Sequence, residues 1–213
     1  MQFADVLDIN LILYAALAVW LYGVRRWKGP WVLIGIQMAL SLATELLAVH
    51  ACSSGIPNAS YYNVYLPIEF LLLLLIARSY VRWTHAPVII AGIMAVYLIG
   101  MALELYGYGS IGTLGVRTAV CGALFLSGLY TYLLFRLSDQ VERPLMHLPA
   151  FWLFLSFILC FGIMFPVIGL YNYLIAYQPD VADQVYTIIE VLFVVRYALA
   201  IVALLLQLRG TRA

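Results

Sequence analysis

VYLPIEFL, Val64 to Leu71, and VYTIIEVL, Val185 to Leu192, share the pattern Val-Tyr-x-x-Ile-Glu-x-Leu. Each copy sets one glutamate inside a long apolar run, where a carboxylate is expensive unless it has partners or a task. The apolar runs decide the fold. A helix needs roughly 20 mostly apolar residues to cross the hydrocarbon core of a bilayer, and runs of that length recur along the chain. The predicted spans are Val6 to Val24, Trp31 to Ala51, Tyr61 to Tyr80, Pro87 to Tyr106, Gly112 to Phe135, Pro149 to Leu174 and Gln184 to Leu206. Membrane strands are shorter and alternate polar with apolar residues, so the expected fold class is an all-α integral membrane protein of seven transmembrane helices.

Composition agrees with that reading. Of 213 residues, 66% are hydrophobic and 10% charged, and the mean hydropathy is +1.02, a balance outside the range of soluble domains. A net charge of +1 gives no electrostatic footprint for nucleic acid. The expected partners are the lipid bilayer, a small solute or ion, and either further copies of the chain or a partner membrane protein. Residues 1–213 are read as a single seven-helix domain, with short connections that leave no room for a soluble one.

Basic residues follow alternate spans: Arg25, Arg26 and Lys28 after the first, Arg78 and Arg82 after the third, Arg136 and Arg143 after the fifth, Arg209 and Arg212 after the seventh. The opposite ends carry Asp5, Asp8, Asp180 and Asp183 with no Lys or Arg. The positive-inside rule then puts the N-terminus outside and the C-terminus in the cytoplasm, with the bacterial cytoplasmic (inner) membrane as the expected location. No basic segment and small-residue cleavage site precede the first span, which is read as a retained helix. If the octapeptides mark a duplication, residues 6–80 and 112–206 are two halves joined by an inverting helix, 87–106. This 3+1+3 plan resembles that of the SWEET sugar transporters and their PQ-loop relatives, although the chain has no Pro-Gln dipeptide. The likeness is one of topology and implies no site residues.

Prolines and glycines punctuate the spans. Pro30, Pro87 and Pro149 stand at or beside helix starts, and Ser-Ser-Gly-Ile-Pro-Asn at 53 to 58 reads as a turn. Pro67 and Pro166 fall inside spans, and each releases a carbonyl one turn earlier, at Asn63 and Gly162. Cys52 is expected in an outer loop. Cys121 and Cys160 are expected as small apolar residues within spans.

At a rise of about 1.5 Å per residue, Glu45, Glu69 and Glu190 lie roughly 9, 12 and 9 Å from the outer ends of their spans, and Arg196 lies roughly 18 Å deep. Unpaired, such charges each cost on the order of several kcal/mol, so they are expected to face the bundle interior. Arg196 should then find Glu69 or Glu45. Gln37, Ser41, Thr44 and Glu45 recur at three- and four-residue steps and form one polar stripe. Tyr65 and Tyr186 precede their glutamates by one turn, within reach of the carboxyl. The candidate ligand or ion site is therefore Glu45, Glu69, Glu190, Arg196, Tyr65 and Tyr186, with Glu104, Arg117 and His50 as an outer rim; the alternative is an ion-pair network that fixes helix packing.

Enzyme signatures are sparse. His50 belongs to one end of the bundle, and His85 and His147 to the other, so the histidines cannot meet at one metal. The single lysine, Lys28, lies outside the seventh span, which excludes a retinal Schiff base and with it the microbial rhodopsins. No catalytic residue, metal or cofactor is expected. The leading functional expectation is a small transporter or carrier coupled to a proton or cation. The alternatives are a sensor or accessory subunit acting with a partner protein, and an intramembrane lipid-processing enzyme.

Overall fold

The computed structural model describes residues 3–56, 58–81, 84–107, 114–142 and 144–210; the side chains of residues 3–9, 171, 172, 175, 176, 179, 180, 182, 183 and 186 are outside that description. Among the described residues the chain is helical throughout: α1 (Phe3–Tyr22), α2 (Pro30–Ser53), α3 (Ala59–Arg78), α4 (Ala86–Gly107), α5 (Val116–Gln140), α6 (Pro149–Tyr177) and α7 (Pro179–Gly210). Short 3-10 turns cover Val24–Arg26 and Leu145–His147. Among the described residues six helices are long and apolar enough to cross a membrane, and the apolar stretch described in α1 is Asn10–Tyr22. By the length and composition of its helices, the chain is an all-helical, multi-pass membrane protein.

The surface carries the same message. On α4, Val88, Val96 and Leu103 are 72%, 73% and 64% exposed, in a helix with no charged residue before Glu104. A water-soluble fold would bury such a face; a bilayer solvates it.

Local sequence explains the helix ends. Gly29, at φ +58°, turns the chain into α2, and Pro30 opens that helix at a position where its missing N–H costs nothing. At the other end Gly55, at φ +73°, closes a Schellman motif: its N–H donates to the Cys52 carbonyl at 3.1 Å and the Ile56 N–H to that of Ala51 at 2.9 Å. Cys52 consequently lies in the last turn of α2 rather than in a loop, where it is exposed. Pro67 and Pro166 sit within continuous α3 and α6. Beside Gly162, whose carbonyl Pro166 releases, stands the Ser127 hydroxyl, 3.1 Å from where a β-carbon would be.

The chain divides into two compact units. One comprises residues 1–28 and 123–213, in which α6 pairs extensively with α7 and α1 packs along α7. Its core includes Leu13, Tyr130, Leu153, Phe154 and Leu204, all nearly inaccessible. The other unit, residues 29–122, is built on the pairing of α2 with α3 and of α3 with α4. There Leu73, Leu74, Ile76 and Met38 are buried, and Phe70 of α3 stacks on Tyr97 of α4 with ring centroids 4.3 Å apart.

Candidate functional site

In the unit of residues 29–122, the polar stripe of α2 faces α3. Gln37 and Ser41 are buried, and Thr44 and Glu45 are half-buried. Gln37 is only 2% exposed, and its Nε2 donates to Glu69 Oε1 at 3.0 Å and to the Tyr65 hydroxyl at 3.1 Å. Glu69, 6% exposed, and Tyr65 are both buried on α3. One amide from α2 thus joins the tyrosine and the glutamate of the first octapeptide. Two turns along α2, Glu45 Oε2 accepts from the Tyr62 hydroxyl at 3.1 Å, while Thr44 Oγ1 returns to the Leu40 carbonyl at 2.9 Å. The acids Glu45 and Glu69 come from facing helices, each held by a hydrogen bond from the other helix.

The Glu104 end of α4 has a different task. Glu104 Oε1 accepts the backbone N–H of Arg117 at 2.7 Å, and Oε2 accepts both the N–H and the hydroxyl of Thr118 at 2.8 Å. The N–H of Gly115 donates to Asn63 Oδ1 at 3.0 Å. Side chains of α3 and α4 therefore satisfy the amides that the first turn of α5 leaves without intrahelical partners, and the carboxylate meets the positive end of that helix. Glu104 and Arg117 were expected together as an outer rim. The structure brings them together through the backbone of Arg117. His50 is exposed in the last turn of α2, where its carbonyl accepts from Ser53 Oγ at 2.8 Å and Ser54 Oγ at 3.0 Å.

The remaining candidates belong to the other unit. Arg196 on α7 is 2% exposed, a fully buried guanidinium. Its Cζ lies 5.4 Å from the Phe157 ring centroid, 5.1 Å from that of Phe161 and 5.6 Å from that of Tyr197. Three ring faces from α6 and α7 surround the cation, an arrangement whose attraction strengthens as water is excluded. Tyr130 of α5 backs this cage, its ring centroid 4.7 Å from that of Phe157. Glu190, the counterpart of Glu69 in the second octapeptide, is half-buried on α7. Tyr186 lies outside the residues whose side chains are described.

Sequence reasoning missed several of these partners. Gln37 stood in the polar stripe without being assigned to the site, although its spacing from Glu45 was the available signal. Asn63 entered only for the carbonyl that Pro67 releases, and the spacing along one helix gave no pointer to Tyr62 as the partner of Glu45. The aromatic neighbours of Arg196 left a signal in hindsight: Phe157 and Phe161 are one turn apart, as are Phe193 and Tyr197, so each pair lies along one helix face.

A stretch of 64 residues of the chain is 42% identical to NADH-quinone oxidoreductase subunit 13 of Thermus thermophilus. It covers 30% of this chain and 13% of that relative's length. No protein-family model matches the chain, and no solved structure matches it.

Proposed function

We propose that this chain is a small carrier of the bacterial cytoplasmic membrane that takes up and releases a proton or small cation at Glu69. The observation that carries the reading is the Gln37–Glu69–Tyr65 cluster, a buried carboxyl held by polar side chains inside two helices of spanning length. Ionisable groups at such depth mark ion paths and proton relays. Glu45, with its Tyr62 partner, offers a second carboxyl on the same pair of helices. In the other unit, Arg196 supplies a fixed positive charge and Glu190 a further acid. The proposal includes the seven-span topology, N-terminus outside and C-terminus in the cytoplasm, and the 3+1+3 relation between the halves. Proton uptake into proteoliposomes with a trapped pH indicator and an imposed potassium diffusion potential tests it. The wild type should carry protons, and Glu69→Gln should lose most of the flux with its helical content intact. Equal flux in the two removes the reading.

A second reading is favoured by the similarity to an oxidoreductase subunit: the chain acts as a membrane subunit alongside a partner membrane protein. Purification from native membranes in a mild detergent should then retain a stoichiometric membrane partner. Isolation of the chain alone, together with proton flux from the isolated chain, favours the carrier.

A further inference from the structure

Where α1 and α7 end together, they leave a groove of about 400 Å³ lined by Ala18, Val19 and Tyr22 of α1 and by Leu205, Leu208 and Arg209 of α7. Its floor is the buried Leu208, while Leu205 and Tyr22, 45% and 75% exposed, form open walls. The lining is apolar except for one guanidinium and one phenol, both at the ends of their helices. The chain just after α1 adds more positive charge to the same place. Gly23 is pressed so closely on α7 that a β-carbon there would come within 2.7 Å of Leu208 Cδ2. Trp27 folds back, donating its indole N–H to the Trp20 carbonyl at 2.6 Å. Between these two fixed points lies the 3-10 turn Val24–Arg26, with Arg25 and Arg26 both exposed. The cations of this turn therefore follow α1 at the same end of the α1–α7 pair where Arg209 lines the groove. Neither residues 10–30 nor residues 191–213 contain an Asp or Glu.

We infer that this groove is a binding site for an anionic phospholipid of the surrounding bilayer, one acyl chain lying between α1 and α7 and the headgroup phosphate meeting Arg209, Arg25 and Arg26. Apolar walls with cations at one end match an amphiphile whose head carries net negative charge. A zwitterionic lipid brings its own ammonium to the same rim and gains less. Each basic residue near a headgroup is worth about a fivefold preference for the anionic lipid, and the groove adds a fixed place for the chain that diffuse surface charge lacks.

The experiment uses the full chain reconstituted in phosphatidylcholine vesicles, with tryptophan fluorescence quenched by brominated phosphatidylglycerol or, in parallel, brominated phosphatidylcholine. Wild type should show preferential quenching by the anionic lipid. Arg25→Gln/Arg26→Gln/Arg209→Gln, all at exposed positions, should bring the preference close to unity. Ala18→Phe, which fills the groove from an exposed position and leaves every cation in place, should lower it as well. No preference in the wild type, or an unchanged preference in the charge variant, overturns the inference. A preference lost with the charges but kept in Ala18→Phe also overturns it, because the effect is then surface charge without a site.

Discussion

The side-chain amide of Gln37 donates to the carboxyl of Glu69 at 3.0 Å, linking α2 to α3 where both residues are shut away from the surroundings. Buried polar groups lose more when a partner is removed than they gain when one is present. Gln37→Leu should therefore destabilise the protein by about 1–3 kcal/mol, seen as a lower melting temperature in detergent. Glu69→Gln keeps a hydrogen-bonding group in place and should cost less than about 1 kcal/mol. Equal losses for the two variants would contradict the asymmetry.

Glu104 should behave as a cap. Its carboxylate accepts three hydrogen bonds from Arg117 and Thr118, so Glu104→Ala should cost about 1–3 kcal/mol. Arg117→Ala retains the backbone N–H that Glu104 uses and should cost less than half as much as Glu104→Ala in the same thermal assay. A larger loss from Arg117→Ala would point to the guanidinium as the more important group.

Gly122 and Gly128 make a contrasting pair on α5. A β-carbon at Gly122 would lie 2.7 Å from Tyr97 Cε2, against a ring already stacked on Phe70, whereas one at Gly128 meets nothing within 4 Å. Gly122→Ala should thus destabilise by about 1–3 kcal/mol through overpacking. Gly128→Ala should stabilise by up to about 1 kcal/mol through helix propensity. The two melting temperatures should move in opposite directions.

Arg196 and Phe161 should be energetically coupled. With the guanidinium carbon 5.1 Å from the ring centroid, Arg196→Met and Phe161→Leu each remove the same cation–ring contact. A double-mutant cycle of thermal stability should show a coupling of about 0.5–2 kcal/mol. Strict additivity would mean that the cage contributes packing alone.

The helices were legible because lipid imposes length and polarity on a whole segment at once. α4 spans Ala86–Gly107 where Pro87 to Tyr106 was expected, and α6 begins at Pro149 as expected. α1 runs Phe3–Tyr22 where Val6 to Val24 was expected. Pairing between helices was far less legible. The Glu45–Tyr62 contact joins two helices and the Asn63–Gly115 contact ties α3 to the residue just before α5, and one-helix periodicity has no access to such neighbours. The octapeptides show the same limit: Glu69 and Glu190 occupy equal positions in the pattern, yet one is buried and the other half-buried. Burial depends on what stands opposite, which the pattern does not encode.

The seating of α5 bears on the order in which the molecule is made. Asn63 and Glu104, which receive the N–H groups of Gly115, Arg117 and Thr118, both precede that helix in the chain. Synthesis runs from the N-terminus, so the acceptors for the first turn of α5 leave the ribosome before the turn itself. The groups that complete the first turn of α5 are thus already made when that helix forms, because they stand earlier in the chain.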